Sequence, residues 1–260
     1  MPFYNPKTPA PLSLEKKVLI CPIVSTANVP QLSADLLIAS LDLKCVGIFD
    51  PQYLVPAIGG RDDDDNFVGV TSPLELYGRD GVNTVIIQPR SPVLKSAKEE
   101  YLSALLQFIS DSHFSAVLLL TGVDVQNRTD DQMMSATYHI APPNSPPHAS
   151  TPLSSLTQIP TYTSPVTQHP LQLTQSNEGP IPFIPGGGLT RRLLTALPAQ
   201  FSTPTGALLQ FAAEGDNRAD AAHLARVVDG VLALGVKEWR QPKAWVQGLF
   251  GTPQDQSLYG

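Results

Sequence analysis

Cysteine is nearly absent from these 260 residues: Cys21 and Cys45 are the only two, too few for a disulfide framework or a zinc site. Both fall in strand-like runs, so two buried reduced thiols are expected rather than a redox pair. Charge is scarce as well, at 15% of residues, and the balance is acidic, with a formal net charge of −6. Nucleic acid and anionic membranes both need a basic face, which argues against either as the main partner. No run approaches the roughly 18 consecutive apolar residues that span a bilayer. The first residues, MPFYNPKTPAPLSLEKK, lack the apolar core of a signal peptide. A cytoplasmic location, extending to the nucleus, is the expectation. What the chain has in excess is proline, 26 residues, many of them clustered. Its length suits one large domain or two small ones.

Lys17 to Val24, KVLICPIV, is a β-rich apolar run of the kind buried in a parallel sheet. The next segment, VPQLSADLLIASL, reads as a helix. Asn28 is placed to cap it, Pro30 falls in the first turn, and Gln31 stands at the capping-box position. Cys45 to Phe49 is a second strand, so a βαβ unit opens the domain. Phe67 to Tyr77 and Val82 to Gln88 read as strands, and Val93 to Ser110 as an amphipathic helix. Ala116 to Leu120 reads as a central strand. Further on, LTRRLLTAL is a short helix ending near Pro198, and Ala207 to Ala213 is a strand. A last helix follows Asp216, a good N-cap, and Gly235 can end it. This alternation predicts an α/β fold, a three-layer α/β/α sandwich with a mostly parallel central sheet.

One stretch breaks the pattern. Ala141 to Asn177 is rich in Pro, Ser, Thr and Gln and contains no Asp, Glu, Lys or Arg. It reads as a long disordered insertion, bounded at 141–180. The expected organisation is a flexible N-terminus over 1–16, a single α/β domain over 17–253 carrying that insertion, and a flexible C-terminal tail over 254–260.

No catalytic constellation stands out. Gly186-Gly187-Gly188 precedes a helix, and such a loop can cradle phosphate on bare backbone N–H groups. The Walker lysine and the GxGxxG spacing are missing, however. Adjacent glycines also serve where two backbones approach closely, which is the preferred reading. Asp62 to Asp65 lacks the alternating ligand spacing of a calcium loop and reads as a solvated loop. The five histidines show no ligand spacing, and no GxSxG elbow is present. Neither a metal nor a cofactor is expected. Trp239, Trp245 and Phe250 read as core aromatics near the C-terminus. The last three residues differ. Leu258-Tyr259-Gly260 combine an apolar side chain, an aromatic ring with a hydroxyl and a terminal carboxylate, three contacts by which a tail can dock.

Several blocks together carry a resemblance. They are PIVSTANVPQLSADLLIASL from Pro22 to Leu41, Leu54-Val55-Pro56, Ile184-Pro185-Gly186-Gly187-Gly188, FAAEGDN from Phe211 to Asn217, and Trp245 with Leu249-Phe250-Gly251. In combination the chain resembles the proteasome assembly chaperone 2 family, in a fungal form. One departure is Ala27, where relatives often carry glycine. The resemblance implies a non-enzymatic chaperone with an α/β/α core that forms a heterodimer with proteasome assembly chaperone 1. The pair would cap the outer face of the proteasome α-subunit ring, favour its correct assembly and block premature activator binding. It implies that Leu258, Tyr259 and Gly260 enter a pocket between α subunits. It also implies that Asn28, Gln31, Asp35, Pro185, Gly186, Gly187, Gly188, Glu214, Gly215, Asp216 and Asn217 are motif residues with a structural role. The competing readings are a phosphate- or nucleoside-binding α/β enzyme using Gly186 to Gly188, and a scaffold that recruits partners through the uncharged insertion.

Overall fold

The computed structural model describes residues 2–61, 69–164 and 181–247. Ten strands and four α-helices are formed among them: β1 Tyr4–Pro6, β2 Val18–Pro22, α1 Val29–Ser40, β3 Lys44–Phe49, β4 Gly59–Gly60, β5 Val70–Thr71, β6 Leu74–Gly78 and β7 Thr84–Pro89, followed by α2 Lys98–Ser112, β8 Ala116–Asp124, β9 Thr137–Ile140, α3 Gly188–Gln200, β10 Thr205–Ala212 and α4 Arg218–Leu232. Eight strands make one sheet in the order β1-β3-β6-β7-β2-β8-β10-β9, and β4 pairs with β5 as a separate hairpin. Strands β7, β2, β8 and β10 run parallel at its centre.

Side-chain alternation explains the three layers. Leu19, Cys21, Val117, Leu119, Ala207 and Leu209 face one side with α2 and α3. Val18, Ile20, Ala116, Leu118 and Leu208 face the other with α1 and α4. Both faces are covered, so these strands read as continuous apolar runs rather than alternating ones. Each fully buried aliphatic side chain contributes about 1.5–3 kcal/mol.

The α/β sandwich is as expected, but the sheet is mixed rather than mostly parallel. β6 runs antiparallel to both β3 and β7, β1 to β3, and β9 to β10. The reason is local. β5 and β6 are interrupted at Ser72-Pro73, and the short turn after Gly78 folds β7 back as a hairpin partner. Phe67 to Tyr77 is therefore not one strand; Pro73 has no N–H to donate, and the Ser72 N–H is taken by the Glu75 carboxylate at 2.9 Å. As a result α1 carries the chain from β2 past two strands before β3 is laid down.

Two segments expected to lack structure are built into the fold. Residues 2–16 form β1 and an arm packed on α2. The Phe3 ring packs at a tilt against Phe49 at 5.1 Å, and Tyr4 against Phe108 at 5.0 Å. Burial, reinforced by nearby Cys45, pushes the Tyr4 phenol up to about 12. Gly47 makes room for that ring: a Cβ there would lie 2.3 Å from it. Residues 141–164 also pack. Leu153 and Leu156 are fully buried with α4, and Tyr162 is buried on the opposite face. The uncharged composition that suggested disorder is here that of a strap lying on the core. The remainder of that segment, 165–180, lies outside the described residues, as do Asp62–Asp65 and Phe250.

Candidate functional site

The motif residues gather where the central parallel strands end. In open α/β sheets this is the edge at which binding loops collect. The turn after β2 holds Ala27 at φ 61° and Asn28 at φ 52°, two successive left-handed residues without a glycine. Four contacts hold it. The Ser25 Oγ accepts the Gly122 N–H at 2.7 Å, and the Asn28 N–H reaches the Ser25 carbonyl at 3.2 Å. The Ala27 N–H donates to Glu214 Oε1 at 3.0 Å, and Gln31 Nε2 donates to Asn28 Oδ1 at 3.1 Å.

The capping expected at α1 is thus corrected. Asn28 sits at the N-cap but with left-handed backbone, and its side chain makes no bond to a helix N–H. Its amide oxygen is engaged by Gln31 instead. At α4 the N-cap is Asn217, one residue later than expected. Asp216 accepts the Arg218 N–H at 3.2 Å and its guanidinium, which holds the Asp216 carboxyl below the usual range. Asn217 is buried and turns its amide back to the Gly215 carbonyl at 2.8 Å.

Asp35 lies one turn beyond Gln31 and opens a polar network that sequence reading missed. Its carboxylate accepts from Gln88 Nε2 at 2.7 Å and binds Arg90 at 2.8 Å. Gln88, fully buried, also reaches the Gln31 carbonyl at 2.8 Å. Behind it Glu75, 1% exposed, receives Arg61 at 2.7 Å and the Tyr77 hydroxyl at 2.7 Å. The one signal available in sequence was an acid, Glu75, and an amide, Gln88, inside otherwise apolar strands. Breaking such a buried pair by removing one partner costs about 3–5 kcal/mol. This pair fixes the β4–β5 hairpin to the sheet.

The Pro185–Gly188 loop lies on the opposite face and does not join this cluster. Gly186 has φ 70°, and a Cβ on Gly187 would stand 2.4 Å from Ile184. Two of the three glycines are therefore explained by a turn and a close approach. Arg191 stacks over Phe183 at 5.7 Å and donates to the Ile181 carbonyl, while Arg192 pairs with Glu99. Trp245 is core, 4% exposed. Among the described residues no group of three or more His, Cys, Asp or Glu converges on a possible metal, and no helix is long and apolar enough to cross a membrane. Leu258, Tyr259 and Gly260 lie outside the described residues.

The architecture defines the class first. It matches Pyrococcus furiosus PbaA, described as an archaeal homolog of proteasome-assembly chaperone, at 18% identity over 90% of this chain and 88% of that one, with a TM-score of 0.60. It also matches P. furiosus PbaB, an archaeal proteasome activator, at 14% identity over 91% and 92%, with a TM-score of 0.59. At these identities the likeness speaks for the fold. The sequence pattern of the PAC2 family matches residues 19–229, and the chain belongs to that family. It is 28% identical over 250 residues to proteasome assembly chaperone 2 of Xenopus laevis, covering 93% of this chain and 94% of the relative. The human protein of that name is 26% identical over 255 residues, covering 93% and 94%. The family expected from the sequence blocks is the one found.

Proposed function

We propose that this chain is a non-catalytic chaperone of proteasome core-particle assembly. The observation that carries the reading is similarity along 93% of the chain to proteins named proteasome assembly chaperone 2. In the finer form of the proposal it works as a heterodimer with proteasome assembly chaperone 1. The pair sits on the outer face of the α-subunit ring, promotes correct ring assembly and keeps activators off until the particle is complete. Leu258 fills the apolar part of a pocket between α subunits, Tyr259 packs on its wall, and the Gly260 carboxylate meets a lysine. The α subunits and chaperone 1 are the partners; the site of action is the cytoplasm, extending to the nucleus. The motif residues Asn28, Gln31, Glu214 and Asn217 support the scaffold, consistent with their bonds to one another and to backbone.

The competing phosphate-binding reading loses its main support, because Gly186 and Gly187 are accounted for by backbone geometry and packing. The proposal is tested by deleting Leu258 to Gly260 and measuring affinity for purified α rings beside heterodimer formation. Ring affinity is expected to fall at least tenfold while the heterodimer survives. Unchanged ring affinity would remove the tail from the mechanism. Absence of any binding by the full chain to α rings or to chaperone 1 would overturn the chaperone reading.

A further inference from the structure

At the opposite end of the sheet, where β2 and β7 begin and α1 and α4 end, lies a groove of ≈ 920 Å³. That is within the range of ligand sites, about 300–1,000 Å³. Its floor includes half-buried Leu41, Val82, Leu234 and Val236. Its lining carries four cations, Lys16, Arg79, Lys237 and Arg240, against two acids, Asp42 and Glu238. The excess is positive in a chain whose formal net charge is −6. Arg79 pairs with Asp42 at 3.3 Å and Arg240 with Glu238 at 3.0 Å. Among the described residues Lys16 pairs with Glu15 alone, at 3.7 Å with both side chains mostly exposed. Lys237 has no carboxylate in ion-pair range among the described residues.

The helix ends beside the groove do not consume these charges. The Leu43 N–H closes α1 onto the Ile38 carbonyl at 2.9 Å, and the Leu234 N–H closes α4 onto that of Asp229 at 3.3 Å. Both are the self-satisfied carbonyl ends of Schellman-type caps. The four cations come from three separate places: the arm before β2, the β6–β7 turn and the segment after α4. Cations supplied by three segments, on a lining that mixes Leu41, Val82, Leu234 and Val236 with polar Ser40, Asn83 and Thr84, suit several carboxylates carried on an extended chain better than one phosphate. Among the described residues no aromatic side chain lines the groove, which leaves it without the stacking platform that single-stranded nucleic acid uses.

We infer that this groove is a docking site for an acidic, extended segment of a partner protein. The inference is independent of the tail and of the proteasome reading. The test uses the full chain and a fluorescein-labelled ten-residue peptide alternating glutamate with leucine, followed by anisotropy. Saturable binding is expected, weakened about tenfold in a Lys16→Glu, Lys237→Glu double variant and by raised salt, because exposed pairs are screened. Lys95→Glu, at the other end of the sheet, should leave it unchanged. Both substituted lysines are exposed, and an unchanged thermal melt checks folding. The inference is overturned by any of four results: no saturable binding, equal binding of the glutamine counterpart, equal loss in Lys95→Glu, or tighter binding of an oligo-dT decamer. Displacement of the probe by an equimolar peptide with the sequence of residues 248–260 would reassign the groove to the chain's own end and overturn the partner.

Discussion

Ala27 is an L residue held at φ 61°, next to Asn28 at φ 52°. The left-handed region costs non-glycine residues about 1–2 kcal/mol each, less for asparagine. Such strain persists where neighbours over-determine it. Here the neighbours are distant in sequence: Glu214, 187 residues away, takes the Ala27 N–H, and Gly122 donates to Ser25 from β8. A Cβ on Gly122 would stand 2.4 Å from the Thr26 carbonyl oxygen, which is backbone and cannot swing aside. Gly122→Ala is therefore expected to lower stability by about 1–3 kcal/mol through overpacking. A urea midpoint shift at unchanged slope checks it; an unshifted midpoint would mean the turn is loosely held. Reading by local rules placed Asn28 and Gln31 at a helix start correctly. It could not find the real bond between them or the strain at Ala27, because both depend on β8 and the loop after β10 being brought to the same edge.

The strap over 141–164 shows where composition misleads at the level of an element. Lacking charge and periodicity, it read as disorder, yet Leu156 enters a space that only Gly206 leaves open, since a Cβ there would lie 2.4 Å from its side chain. That complementarity involves residues 50 positions apart and leaves no local signature. His148 pins the strap to the start of β10. Its Nε2–H donates to the Thr205 carbonyl at 3.1 Å, and the Thr205 N–H returns to Ser145 Oγ at 2.9 Å. Burial pushes the His148 pKa below the ordinary 6.5, opposed by the Thr205 bond and assisted by nearby His139. The unfolded chain therefore binds the proton more readily than the folded one. Stability should be at its full value above about 6.5 and fall as pH drops through the lower folded-state value. His148→Asn, which keeps a donor but does not titrate, should flatten the profile between pH 5 and 7 in denaturant melts. Parallel profiles for the two proteins would place His148 outside the packed structure.

On the scale of the whole molecule, the sandwich was legible because both faces of its central strands are buried and the apolar runs are long. The antiparallel outer strands were not, since β3, β6 and β9 owe their direction to turns and to the route of α1 rather than to their own residues. Those outer strands bear on how the molecule meets a partner. An open sheet edge is a ready template for another strand, but one edge here is blunted and the other is covered. β1 is three residues long and ends in Pro6. The outer side of β9 is taken by the strap, with the His139 N–H on the Pro160 carbonyl and the Tyr162 N–H on that of His139, both at 2.8 Å. The heterodimer proposed above should then form through helices and loops, not by continuing the sheet. Hydrogen–deuterium exchange of this chain with and without chaperone 1 decides the point. The amides of β1 and β9 are expected to exchange at the same rates in both states, with new protection confined to helix surfaces and connecting loops. New protection running along β1 or β9 would mean that the strap or the arm gives way and the sheet extends across the interface.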